Sequence, residues 1–307
     1  MIENSLEQLA EAMPAAELQE EIQNLKSEPL AQQGPFDVYL EQAAAIPKIL
    51  LEIGRLRELT FRTVGVGVGK SRDTDRYDDY YSHLFLWDRE NHRVAGGYRI
   101  ARTDLVFAEH GFKGLYTGSL CECDQNLMDY LDPALELGRS WIHPDYQRSM
   151  HSLLGLWKGI GHFVARYPRY HKLFGAVTIS DDYTSISQDL IVRFLRRTKT
   201  NGEWSDAMRA LLPFKNQPED RSQGLTSIEE VSAQVASQES DGKGVPVLLR
   251  QYFKLNATLL DFAYDAKFGD CLDAIVLVDL RDAPQMILKK YMGREGYARF
   301  VSETKRG

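Results

Sequence analysis

Leu135-Glu136-Leu137-Gly138-Arg139-Ser140-Trp141-Ile142 has the apolar frame of a core strand, yet it carries a carboxylate and a guanidinium three residues apart. Burying such a pair loses about as much hydration as the attraction returns, and removing one partner costs about 3–5 kcal/mol. Charge inside a core strand is therefore a poor stability device and a good indication of chemistry. Glu136 and Arg139 are the first candidate site residues.

The flanking sequence sets this strand in an alternating pattern. His143-Pro144-Asp145-Tyr146 ends it, and Leu153, Leu154, Trp157, Ile160, Gly161 and Val164 then fall on one face of a helix over 151–166. An apolar, β-branched strand follows over 172–180, and an amphipathic helix over 185–197. Upstream, residues 36–40 alternate like a strand, and Ile46, Ile49, Leu50, Ile53, Leu56 and Leu59 have helical spacing, with Pro47 confined to the first turn. Gly65-Val66-Gly67-Val68-Gly69-Lys70 and the polar run after it read as a flexible loop of about fifteen residues, long enough to carry function. Residues 80–87 and 94–101 form an expected hairpin, with a third short strand near 114–118. A helix over 245–255 and strands over 258–264 and 274–280 complete the pattern.

This order describes one α/β domain over 35–290, a mixed sheet flanked by helices, with a polar insertion at about 214–244. Residues 1–34 read as a loosely attached helical leader, and 291–307 as a tail. The leader's Leu6, Leu9, Met13 and Leu18 favour packing on the body or a second subunit over lipid, because its many glutamates oppose anionic headgroups.

Composition narrows the function classes. The 307 residues are 43% hydrophobic and 26% charged, as in ordinary globular proteins, and no run approaches the ~18 apolar residues of a membrane span. Met1-Ile2-Glu3-Asn4 opens no signal peptide, so a cytoplasmic location is expected. A net charge of -7 argues against nucleic acid as a partner. Three cysteines fit a reducing compartment, and Cys121-Glu122-Cys123 alone is too weak to imply a metal.

Several motifs, taken in order, resemble a known group. Arg57-x-x-x-Phe61, Asp75-x-x-Asp78, Gly97-Tyr98-Arg99 and Glu136-x-x-Arg139 occur as in acyl-homoserine-lactone synthases, members of the N-acetyltransferase-like (GNAT) fold. Leu154-x-x-Trp157-Lys158-Gly159-Ile160, the stretch from Leu173 to Tyr183, Pro246-Val247-Leu248-Leu249-Arg250 and Phe268-x-Asp270-x-Leu272-Asp273 look closer to their relatives, the hemolysin-like N-acyltransferases of ornithine-lipid and glycine-lipid biosynthesis. The resemblance covers about residues 36 to 290. It implies a GNAT fold, an acyl carrier protein as partner, a phosphopantetheine thioester as acyl donor with no tightly bound cofactor, and an amino acid such as ornithine or glycine as acceptor.

In that chemistry Glu136 would take the amine's proton, and Arg139 would either hold Glu136 or grip the acceptor's carboxylate. Arg57, Phe61, Asp75, Asp78, His83 and Arg99 would shape the substrate cleft and a lid, and Ser180 would meet the pantetheine arm or cap the next helix. Each charge has a plainer reading as a solvated or structural side chain, and His83 as a satisfied buried histidine. Coenzyme-A-using members carry a glycine-rich turn before the crossover helix, whereas this chain has Gln147-Arg148-Ser149-Met150-His151-Ser152, which favours a carrier-protein donor. Arg193, Arg196, Arg197 and Lys199 would dock that acidic carrier, or simply complement a helix C-terminus. The amphipathic product would allow peripheral contact with the inner membrane. Alternatives are an autoinducer synthase and a non-catalytic carrier-binding protein on the same fold.

Overall fold

Capping side chains, proline and glycine divide the chain into short elements, which the computed structural model describes for residues 6–200, 203–204, 206–215 and 220–305. Residues 1–5 of the leader, 216–219 of the insertion and 306–307 of the tail lie outside the described residues. In chain order come helix α1 (Ala15–Gln23), strands β1 (Ala31–Gln33) and β2 (Phe36–Gln42), helix α2 (Pro47–Arg62), and strands β3 (Ser82–Asp88) and β4 (Arg93–Arg102). Helix α3 (Thr103–His110), strand β5 (Cys121–Cys123), helix α4 (Gln125–Tyr130), strand β6 (Leu135–Ile142) and helix α5 (Met150–Arg166) follow. The remainder is strand β7 (Lys172–Ile179), helix α6 (Ser185–Lys199), strand β8 (Met208–Ala210), helices α7 (Ile228–Gln238) and α8 (Val247–Lys254), strands β9 (Thr258–Asp265) and β10 (Cys271–Asp279), and helix α9 (Gln285–Thr304). The fold class is α/β, as the sequence implies.

The chain packs as two compact units, each built from separated stretches of sequence. Unit 1 comprises Met1–Arg102, Leu135–His171 and Gln285–Gly307, and unit 2 comprises Thr103–Ala134 and Lys172–Pro284. In unit 1, β1, β2, β3, β4 and β6 form an antiparallel sheet in that order. Helix α5 packs on one face, where small residues bring it close: a Cβ on Gly159 would lie 2.6 Å from Val38 Cγ1 and 2.9 Å from Leu84 Cδ1. Helix α2 packs against β4 and β6. In unit 2, β10 lies between β7 and β9, both antiparallel to it, and β5 pairs with β8. There α6 packs on α7 and β9, and α8 on β10. Among the described residues no helix is long and apolar enough to cross a membrane.

Three expectations are corrected. The segment 114–118 is not a strand; it lies in two 3-10 turns, Phe112–Gly114 and Thr117–Ser119, and the strand comes later at Cys121–Cys123. Residues 6–34 are not loosely attached: Leu18 is buried, and the Glu21 carboxylate accepts from the Lys48 and Ile49 N–H groups, satisfying orphan donors at the start of α2. Most of the expected tail is helical. Gly293, at φ 73°, kinks α9 and interrupts its 3.6-residue periodicity, which hides the helix from a pattern search.

Helix α9 docks on α5 through Tyr291, whose ring stacks on Trp157 at 5.4 Å, and through backbone lying against Gly161. A Cβ on Gly161 would stand 2.8 Å from the Tyr291 carbonyl carbon and oxygen. Gly161→Ala should therefore cost about 1–3 kcal/mol in chemical denaturation, and an unchanged midpoint would contradict this packing.

Candidate functional site

Three arginines and three aspartates meet in unit 1 as a closed ring of alternating charge. Arg57 Nη1 and Nη2 donate to the two Asp78 carboxylate oxygens at 2.8 and 2.9 Å, and Arg57 Nε lies 3.2 Å from Asp73 Oδ2. Arg99 Nη1 reaches Asp78 Oδ1 at 3.3 Å and Asp75 Oδ1 at 2.6 Å. Arg139 closes the circle, its Nε 3.1 Å from Asp73 Oδ2 and its Nη2 3.7 Å from Asp75 Oδ2. Arg57 and Arg99 are 1% exposed, Asp78 3% and Asp73 0%, so water screens these contacts poorly. Burial alone would raise the Asp78 carboxyl, but Arg57 and Arg99 outweigh it and hold the group well below the usual carboxylate range.

Local structure explains how these groups meet. Gly54 lets the segment before β3 lie close against α2: a Cβ there would stand 2.6 Å from Thr74 Cγ2. Asp73 N–H donates to Gly54 O at 2.9 Å, and Arg57 donates to the Asp73 carbonyl. Further upstream the same segment is fastened by Glu58, whose carboxylate accepts from the Val68 and Gly69 N–H groups at 3.0 and 2.9 Å. What reads in the sequence as a flexible loop is thus tied along much of its length.

Strict strand alternation would point Glu136 and Arg139 to opposite faces. The register pairs Gly97 with Trp141 and Arg99 with Gly138, so two residues of β6 oppose one of β4. Arg139 occupies this bulge at φ 47°, a strained value for a non-glycine residue, and thereby reaches carboxylates that Arg57 and Arg99 also engage. Glu136, paired with Ala101, shares its face with Arg99 and, through the β3 register, with His83.

Glu136 is 2% exposed, and its Oε2 accepts from the Tyr81 hydroxyl. The Arg99 guanidinium sits 5.2 and 5.3 Å from the Tyr77 and Tyr81 ring centroids. Burial pushes the neighbouring Tyr80 phenol up to about 12. His83 Nε2 lies 3.0 Å from the Asp78 carbonyl, which can only accept, so this nitrogen carries the proton. Burial lowers the His83 pKa to about 4, which makes it a neutral buried histidine. Phe61 is buried one helical turn after Arg57.

The remaining candidates lie in unit 2. The Ser180 hydroxyl bonds to Asp182, and its carbonyl accepts from Gln188 in the first turn of α6. Thr184, not Ser180, caps that helix. Arg193 pairs with Asp189, Arg196 lies 3.5 Å from Asp261, and Arg197 donates to the Ser222 hydroxyl and to the Ser222 and Leu225 carbonyls. Lys199 Nζ lies 5.4 Å from the Phe253 ring centroid. Ser180 lies before the start of α6, whereas Arg193 to Lys199 occupy its C-terminal half, about 12–21 Å along the axis from Ser185. Among the described residues no group of three or more His, Cys, Asp or Glu side chains could hold a metal ion.

Sequence reasoning missed Asp73 and Tyr81. Asp73 lies two residues before Asp75 and completes an Asp-x-Asp-x-x-Asp run, a signal that was available. Tyr81 sits just before β3 in a Tyr-Tyr pair that reads as a strand start, with nothing local to mark its hydroxyl.

Asp73→Asn leaves Arg57 and Arg139 each short of a carboxylate and should cost about 3–5 kcal/mol in urea denaturation; a loss under about 1 kcal/mol would contradict the ring. The unfolded chain binds a proton on His83 more readily than the folded one between about pH 4 and the ordinary 6.5. Stability from neutral His83 is therefore complete above that window and falls by up to about 3 kcal/mol as pH drops through it. His83→Gln, which keeps a donor for Asp78, should flatten the slope of stability against pH; an unaltered slope would contradict the assignment.

The segment 56–158 matches the acetyltransferase (GNAT) domain family. A glycine N(α)-acyltransferase of Bacteroides thetaiotaomicron is 30% identical over 257 residues, covering 78% of this chain and 76% of that protein. An L-ornithine N(α)-acyltransferase of Brucella abortus is 28% identical over 254 residues, covering 80% of this chain and 82% of that one. The solved structure of a CoA-dependent acyl-homoserine lactone synthase, BjaI, aligns at a TM-score of 0.41 with 13% identity, over 87% of this chain and 99% of that one. The chain belongs to the family of GNAT-domain amino-acid N(α)-acyltransferases and is an acyltransferase.

Proposed function

We propose that this protein transfers a fatty acyl group, with or without a 3-hydroxyl, from an acyl carrier protein thioester to the α-amine of glycine or ornithine, a step in making amino-acid-containing lipids. The observation that carries this reading is a buried carboxylate, Glu136, held by the Tyr81 hydroxyl on a sheet face fixed by the Arg–Asp ring. The names of the 30% and 28% identical relatives supply the two acceptors.

The reaction needs a neutral amine and a polarised thioester. Glu136 takes a proton from the acceptor's ammonium, directly or through water; the amine nitrogen bonds to the carbonyl carbon, the C–S bond breaks, and the thiolate leaves with a proton. The second ammonium proton passes to solvent. Tyr81 orients the carboxylate, and the ring fixes the strand that bears it.

A carrier-protein donor is favoured by the start of α5. Ser149 accepts from the His151 N–H at 3.2 Å, and the His151 ring bonds to Gln33 at 2.7 Å and crowds Gly34. No glycine-rich turn opens this helix to a pyrophosphate. A carrier arm has a single phosphate to place.

Acyl carrier protein thioester incubated with glycine or with ornithine tests the reading through thiol release and mass spectrometry of the product. One amine should support release, and Glu136→Gln should lower kcat about 10²–10⁴-fold with folding intact. Release with neither amine would contradict the acceptor class, and a Glu136→Gln variant as active as the parent would remove Glu136 from catalysis.

A further inference from the structure

In unit 2 the C-terminal end of α6, the first turn of α7 and helix α8 enclose a cleft of about 430 Å³, a size that suits a small-molecule ligand. Lys199, Arg250 and Lys254 line it, against one carboxylate, Glu229. The other cations of α6 are engaged within the unit: Arg193 with Asp189, Arg196 with Asp261 and Arg197 with the Ser222 and Leu225 carbonyls. The lining cations differ, since among the described residues none of the three has an ion-pair partner. Arg250 Nε is moreover buried with no hydrogen-bond partner. Arg250 is half-buried, so its guanidinium still reaches the cleft, and a bound anion would compensate the Nε that has lost water without gaining a partner.

Three cations less one carboxylate leave a net charge of about +2 around the cleft. A phosphomonoester, with a second pKa near 6, carries the matching dianion at neutral pH. The planar fork of arginine suits phosphate oxygens, while Phe194 and Phe253 give the cleft an apolar wall for the rest of such a molecule. We propose that this cleft binds the phosphate group of a small phosphorylated molecule, with Arg250 as its main ligand and Lys199 and Lys254 on its flanks. The assignment uses unit 2 alone and stands or falls independently of the acyl-transfer chemistry.

Calorimetric titration of the full chain with phenyl phosphate at low ionic strength tests it, with phenol as the uncharged control. Saturable one-to-one binding of phenyl phosphate and none of phenol is expected. Arg250→Gln should weaken binding about tenfold or more, and Lys254→Gln about threefold, while Lys290→Gln on α9 should leave it unchanged. Lys254 is exposed, so its variant keeps the test decisive even if Arg250→Gln does not fold. Absence of saturation by tens of millimolar, equal binding of phenol, or parental affinity in the Arg250→Gln or Lys254→Gln protein would overturn the proposal.

Discussion

The alternation of Arg57, Asp78, Arg99, Asp75, Arg139 and Asp73 is the constraint on which the rest of unit 1 depends. Each aspartate bridges two arginines from different elements, so the segment between α2 and β3 cross-links a helix to two strands. Ion pairs this deep must offset the lost hydration of all six groups by attraction, and at Asp73, whose carboxylate oxygens take no hydrogen bond, the charges of Arg57 and Arg139 alone supply it. Gly54 at the helix surface and the bulge at Arg139 are the backbone devices that let the circle close.

The Glu136 carboxylate shares its sheet face with Arg99 of the ring. Tyr81 supplies a neutral donor to Glu136, which orients the carboxylate without adding a counter-charge. In the proposed reaction this arrangement would let Glu136 accept a proton from an ammonium substrate, with the ring arginines positioning its strand. Arg139, which the sequence left to hold Glu136 or to bind the acceptor, is paired with Asp73 and Asp75.

Most of the architecture was legible because it follows local periodicity. The hairpin of β3 and β4, the charged strand β6 and helices α5 and α6 appear where apolar spacing puts them. What was not legible depends on contacts between distant residues. The kink at Gly293 broke the pattern of α9, and the fastening of the leader rests on Glu21 reaching the first turn of α2, a pairing no local pattern encodes. At the site, five of the six ring members were named as candidates from ordered motifs, whereas their closure into one circle is a matter of tertiary geometry. Strand alternation argued against Glu136 and Arg139 acting on one side, and only the bulge reconciles them.

A double-mutant cycle on Asp73 and Arg139 tests the closed ring most directly. Removing either side chain strands its partner, so Asp73→Asn combined with Arg139→Gln should be less destabilising than the sum of the single changes by about 1–3 kcal/mol. Additivity within about 0.5 kcal/mol would show that the two groups act independently and would contradict the ring.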